Sequence, residues 1–277
     1  MVIWGFSWTN AKVLGNYAPA EVLGFMRFLI ATLTMVPILI FSRQKLSISK
    51  KGLFFSIVGA VCISLYNLCF FIGTHIGTAG IGGVIVPTMS PILAFLGSVI
   101  IFRQDYLKID IIGLILGLIG VCIVLRIWDM HFEQINNSGN TYFILVTVSW
   151  ATLTLISSRS HAFIGTLTFS FWVYLLSAIF FLPFFIENNA LNIFTMDWIF
   201  WIHMLFVSIG AIVFGTTVYF FGTIALGINQ ASAFIFIVPI SAIIFSIIFL
   251  DETLEISTVV GGTLAMSAVY LINHKPK

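Results

Sequence analysis

The chain reads as an all-α integral membrane protein, with ten transmembrane helices forming two inverted five-helix repeats. Three observations predict this: a composition that no soluble domain has, a stretch written twice, and a one-sided distribution of basic residues. Of 277 residues, 60% are hydrophobic and 8% charged, and mean hydropathy is +1.13. A soluble domain carries roughly 25% charged residues. The chain therefore belongs in lipid, with little of it outside.

The duplicated stretch is residues 83–120, GVIVPTMSPILAFLGSVIIFRQDYLKIDIIGLILGLIG, and residues 231–268, ASAFIFIVPISAIIFSIIFLDETLEISTVVGGTLAMSA. Pro91 and Gly113 fall on Pro239 and Gly261 with a shift of 148, and Gly117 and Gly120 fall on Ala265 and Ala268. Upstream, Trp4 falls on Trp150 and Pro37 on Pro183, both with a shift of 146. Anchors in the same order with almost no drift mark an internal repeat. The two units are residues 1–128 and 140–277. The polar stretch WDMHFEQINNSG, residues 128–139, joins them as a linker.

Each apolar run of about 20 residues can cross a ~30 Å hydrocarbon core as a helix. The first unit offers runs at 2–14, 20–41, 52–72, 78–102 and 109–127; the second offers 141–157, 165–186, 198–221, 228–250 and 257–273. The first run is short. Trp4 has three residues before it, against ten for Trp150 in its span, so either the natural chain starts upstream of Met1 or this helix is short. No basic leader precedes the apolar sequence, so no cleavable signal peptide is expected.

Charge tests the count. With the first helix starting inside, the cytoplasmic turns hold Arg43, Lys45, Lys50, Lys51, Arg103, Lys108, Arg159, Lys275 and Lys277, while the opposite side holds Lys12 and Arg126 with most of the acids. Positive residues stay inside, so both termini are expected in the cytoplasm. Five spans per unit is odd, and the second unit must enter from the other side. Inverted repeats of this kind are a signature of secondary transporters, whose substrate site lies near the midplane where the repeats meet.

WGFSWTNAKV at 4–13, Arg27-Phe28 in the second span, and Pro239 followed by LDETL at 250–254 and Gly261-Gly262 resemble the EamA-type branch of the drug/metabolite transporter superfamily. The resemblance covers essentially the whole chain. It implies a ten-helix inner-membrane protein that exports amino acids, metabolites or toxic compounds. The acidic corner residue Glu252 aligns with Gln104 in the first unit, a departure from symmetry.

Intramembrane polar residues are site candidates because they are costly unless satisfied. Stripes at helical spacing run through Ser7 and Asn10 in the first span, and through Ser64, Asn67, Phe71 and His75 in the third. Thr147, Trp150, Thr154 and Ser157 form one in the sixth, and Thr216, Tyr219 and Thr223 in the eighth. From these, Trp4, Ser7, Asn10, Asn67, His75, Trp150, Thr154 and Tyr219 are the expected substrate-binding residues. Close packing by small hydroxyl residues is the competing reading. Pro87, Pro91 and Pro239 remove backbone donors and are expected at gating bends, a curved helix being the alternative. Arg27 either snorkels to the surface or binds an anionic group. His75 is either interfacial or a proton relay. Trp198 and Trp201 open a span and read as interfacial anchors.

No catalytic constellation such as HExxH or GxSxG lies on a span, which argues against an intramembrane enzyme. Large loops that would favour a receptor are absent, and no ring of charge marks a channel. The three cysteines lack metal-ligand spacing, and no cofactor or metal is expected. The expected partners are a small-molecule substrate and the bilayer, with no nucleic acid. The small residues of the fifth and tenth spans fit close packing in a monomer, or in a homodimer.

Overall fold

A chain in hydrocarbon has to satisfy its backbone groups internally, and only helices or closed barrels do this. The structure, a computed structural model, describes residues 1–102, 108–124, 126, 128, 139–227, 231, 234–253 and 255–273, and the regular elements among them are all helical. In chain order they are α1 (Val2–Gly15), α2 (Ala20–Phe41), α3 (Lys50–Ile76), α4 (Ala79–Phe102), α5 (Lys108–Val124), α6 (Asn140–Ser160) and α7 (Thr166–Glu187). There follow the continuous helix α8 (Trp198–Ala225), α9 (Ile237–Leu250) and α10 (Ile256–Asn273). Six of them, α2, α3, α4, α6, α7 and α8, are long and apolar enough to cross a membrane.

Local chemistry sets the ends. Ser49 caps α3 by accepting from the Gly52 amide at 3.0 Å, and Asp197 caps α8 by accepting from the Phe200 amide at 2.9 Å. Such caps occupy orphan donors of the first turn. Gly139 stands before α6 with φ +76°, the left-handed region that suits glycine. A methyl there would meet the Gly73 carbonyl oxygen at 2.7 Å, so the close approach of α3 excludes a side chain as well.

Two expectations about elements change. The ninth span was expected as one run over 228–250, but a 3₁₀ turn over Phe234–Phe236 interrupts it, and α9 runs from Ile237 to Leu250. Pro239 is thus the third residue of α9, in the first turn where its missing N–H breaks no helical bond. The eighth span is not a plain α-helix: Phe206–Thr216 is wound as a π-helix. Most of the 128–139 linker, Arg103, Gln104, Asp129, Glu133, Leu254, Lys275 and Lys277 lie outside the described residues.

The directions of neighbouring helices follow from which residues meet. A methyl on Gly117 of α5 would lie against Ala268 of α10, and one on Gly120 against Ala265, so these helices run antiparallel. Under the 148 shift these two contacts exchange with each other. Gly80 and Gly83 of α4 meet Ser246 and Ala242 of α9, again antiparallel. Gly24 of α2 faces Phe181 of α7, and Phe28 stacks on Tyr174 at 6.3 Å, also antiparallel. Gly5 and Phe6 of α1 meet Ser241 and Phe245 of α9 in parallel, and Gly82 and Gly97 of α4 meet Phe143 and Leu155 of α6 in parallel.

The core is aromatic and aliphatic, with Phe28, Phe70, Phe71, Phe143, Tyr174 and Phe181 buried at its centre. Large apolar side chains such as Ile100, Ile101, Ile112 and Ile115 are exposed on the outside, as a lipid-facing surface requires. Hydroxyls inside mostly donate to the carbonyl one turn back: Thr32 to Phe28, Thr74 to Phe70 and Thr147 to Phe143. The helices thereby satisfy most of their buried hydroxyls without water, those of Thr9, Ser56, Ser64, Ser149 and Ser170 being exceptions.

Candidate functional site

Helices from both halves of the chain converge on a cavity of about 40 Å³. Trp4, Ser7 and Trp8 of α1, Arg27 of α2, Tyr66 of α3 and Pro87 of α4 line it from the first unit. Trp150 of α6, Ala211, Ile212 and Thr216 of α8, and Val238 of α9 line it from the second.

The aromatic wall is built around Trp4. Its indole N–H donates to the Ala211 carbonyl at 2.9 Å, and its ring meets Trp150 edge to face at 5.1 Å and Tyr219 at 5.3 Å. The π winding of α8 runs through this contact. Thr216 donates to the same Ala211 carbonyl, five residues back, at 3.2 Å. Gly215 makes room for the ring: a methyl there would lie 2.5 Å from the Trp4 ring nitrogen. Stretches of π-helix are rare and collect at functional sites.

The cation in the wall is Arg27, 2% exposed. Its Nε donates to the Val207 carbonyl at 3.1 Å and its Nη1 to the Asn67 side-chain oxygen at 2.6 Å. Asn67 is itself fixed by donating to the Ile63 carbonyl at 2.8 Å. The guanidinium lies over the rings of Phe70 and Phe71, at 5.3 and 5.6 Å. Snorkelling is thereby overturned, since the side chain points into the bundle and not along it.

The EamA-like transporter family matches residues 1–126 and, separately, residues 137–274. The chain belongs to that family. Among relatives of this EamA-family protein, the uncharacterized transporter YvbV of Bacillus subtilis is 26% identical over all of this chain and 90% of its own length. An uncharacterized transporter of Archaeoglobus fulgidus is 23% identical over 99% of this chain and 95% of its own. A solved crystal structure superposes with a TM-score of 0.68 over 98% of this chain and 92% of its own, at 13% identity, which shows a shared fold. The protein is a multi-pass membrane transporter.

Of the residues expected to bind substrate in this EamA-family chain, Trp4, Ser7 and Trp150 line the cavity. Tyr219 stands directly behind, its ring 5.7 Å from that of Trp150. Asn67 is one step removed and acts on the cavity through Arg27. Three others lie elsewhere. Asn10 donates to the Phe6 carbonyl and pairs with His203 at 2.6 Å, joining α1 to α8. Thr154 spends its hydroxyl on the Trp150 carbonyl. His75 is exposed in the last turn of α3, nine residues or ~13 Å along the helix from Tyr66, beside Gly15 and Pro19. Periodicity put these residues on plausible faces but could not give their depth. Of the prolines, Pro87 lines the cavity, Pro91 is buried one turn beyond it, and Pro239 adjoins the lining residue Val238.

One device went unread in the sequence. Glu252, at the corner before α10, accepts from the Ala79 and Gly80 amides at 2.8 and 2.9 Å, closing the open start of α4. Lys12 lies 3.6 Å from the same carboxylate and donates to the Gly77 carbonyl at the end of α3. Asp251 turns the chain into place with φ +52°. The signal was available: an acidic corner, LDETLE at 250–255, and a glycine-rich helix start, AGIGG at 79–83. Trp198 is exposed at the start of α8, while Trp201 packs on Phe194 and Phe200.

Proposed function

We propose that this protein is a secondary transporter that moves a small amphipathic metabolite outward across the inner membrane by alternating access around the central cavity. In this reading two five-helix units, inverted relative to each other, make ten crossings with both termini in the cytoplasm. The observation that carries the reading is the meeting of Trp4 and Trp150, repeat-equivalent residues from the two units, in one cavity wall. A carrier built from inverted repeats has its site where the halves meet.

Helix direction supports ten alternating crossings. Pairs separated by an odd number of spans, α5 with α10, α2 with α7 and α4 with α9, run antiparallel, whereas α1 with α9 and α4 with α6 run parallel. Contacts also segregate by the expected side. Lys12 pairs with Glu252, and Arg126 with Glu255 at 3.2 Å, all assigned outside. Thr168 and Trp172 donate to the Lys45 and Leu46 carbonyls at the inner end. Pro87, inside α4 and in the cavity wall, is the place at which gating would occur; Pro239, in the first turn of α9, interrupts no helical bond.

Purified protein in proteoliposomes, loaded with a panel of amino acids and small metabolites, tests the proposal. Saturable, competable flux is expected for at least one compound, and Trp150→Ala is expected to lower it with membrane abundance unchanged. Flux that does not saturate, or that is indifferent to the Trp150 change, would sink it.

A further inference from the structure

The sequence places no carboxylate near the middle of any span, yet it places an arginine there. The ion pairs among the described residues are Lys12 with Glu252 and Arg126 with Glu255, both at helix ends. Arg27 is paired with neither. Its described partners are neutral: a backbone carbonyl, an asparagine oxygen and two phenylalanine rings.

A guanidinium keeps its proton in proteins, and a buried charge without a counter-charge is strongly unfavourable. Asn67 and Val207 soften that cost and also fix the orientation of the group. Of its five N–H donors, the bonds to Val207 and Asn67 use one on Nε and one on Nη1; the other three make no hydrogen bond to a described residue. The adjacent Nη1 and Nη2 donors form the fork that receives a carboxylate through two parallel bonds. The cavity that Arg27 lines is otherwise walled by three indoles, the Tyr66 phenol and aliphatic side chains such as Ile212 and Val238, with the hydroxyls of Ser7, Ser90 and Thr216 between them. That surface suits a compact organic body better than a hydrated inorganic anion.

We infer that Arg27 is the carboxylate-recognition residue of the central cavity, and that the transported molecule is a small organic acid or amino acid bound through its carboxylate. The inference rests on the transporter reading above and gives it a substrate class. Arg27 touches the ligand, Asn67 positions Arg27, and the aromatic wall holds the rest of the molecule.

Binding to the full-length protein in detergent can be followed by tryptophan emission, because Trp4, Trp8 and Trp150 line the cavity. The probes are acetate, lactate, alanine and phenylalanine, the matching amides of each, and chloride and phosphate. At least one carboxylate is expected to shift the emission saturably and to raise Tm, with its amide roughly 10- to 100-fold weaker. Arg27→Lys keeps the charge without the fork and is expected to weaken binding about tenfold; Arg27→Gln should abolish it.

Arg27→Gln could fail to fold, so Asn67→Asp provides a second arm. It sets a carboxylate of nearly the same shape against the guanidinium and is expected to raise Tm while suppressing carboxylate binding. An amide that binds as well as its acid, phosphate or chloride as the tightest probe, unchanged binding in Asn67→Asp, or silence across all four acids would each overturn the inference. Saturable flux of an amide in proteoliposomes would leave the carrier standing and remove the carboxylate. Carboxylate binding through Arg27 without flux would do the reverse.

Discussion

Trp4 and Trp150 fall on each other in the sequence repeat, yet their polar atoms are treated differently. The Trp4 N–H is bonded to the Ala211 carbonyl, whereas the Trp150 N–H makes no hydrogen bond to a described residue. Trp4→Phe should therefore lower stability by about 1 kcal/mol more than Trp150→Phe, the worth of one buried hydrogen bond; thermal melts of the two variants compare them directly. Gly215→Ala pushes a methyl to 2.5 Å from the Trp4 ring nitrogen. Overpacking of that kind costs about 1–3 kcal/mol, and the variant should melt earlier and transport more slowly, because the displaced ring is the cavity wall. The repeat alignment identified both tryptophans before any coordinates. It could not reveal what Arg27 holds, since its partners Asn67 and Val207 lie 40 and 180 residues away and no local pattern links them.

Among the helices, those the sequence delimited best are the ones bounded by polar corners on both sides. The run at 20–41 is reproduced by α2, and that at 165–186 by α7 to within a residue. Hydropathy follows composition and is blind to winding, so it missed the π stretch in α8 and the 3₁₀ turn before α9, both of which are as apolar as their surroundings. The corner at Glu252 is where element and function meet. Its carboxylate holds the first amides of α4, the helix that carries Pro87 into the cavity. Glu252→Gln removes the charge facing the helix start and the partner of Lys12, and should cost about 1 kcal/mol. If this corner latches one end of the bundle, a cysteine at Ser246, which lines the crevice beside it, should also label faster with a membrane-impermeant maleimide in the Gln variant. Unchanged labelling would reduce Glu252 to a helix cap.

For the molecule as a whole, the closely packed seam of α5 and α10 is expected to stay together while other contacts change. A cysteine pair at Gly117 and Ala268 would begin with β-carbons about 3.4 Å apart, near the span of a disulfide, once the end of Ile92 swings aside. Oxidation should join the two helices and leave transport intact; loss of flux on oxidation, restored by reductant, would mean that the seam moves. The edge-to-face contact of Trp4 and Trp150, at an interplanar angle of 86°, carries a different consequence. Two rings in a T cannot both be the stem, so of these two repeat-aligned residues one offers its edge and the other its face. However alike the stretches of sequence that carry them, the two tryptophans are not interchangeable in this arrangement.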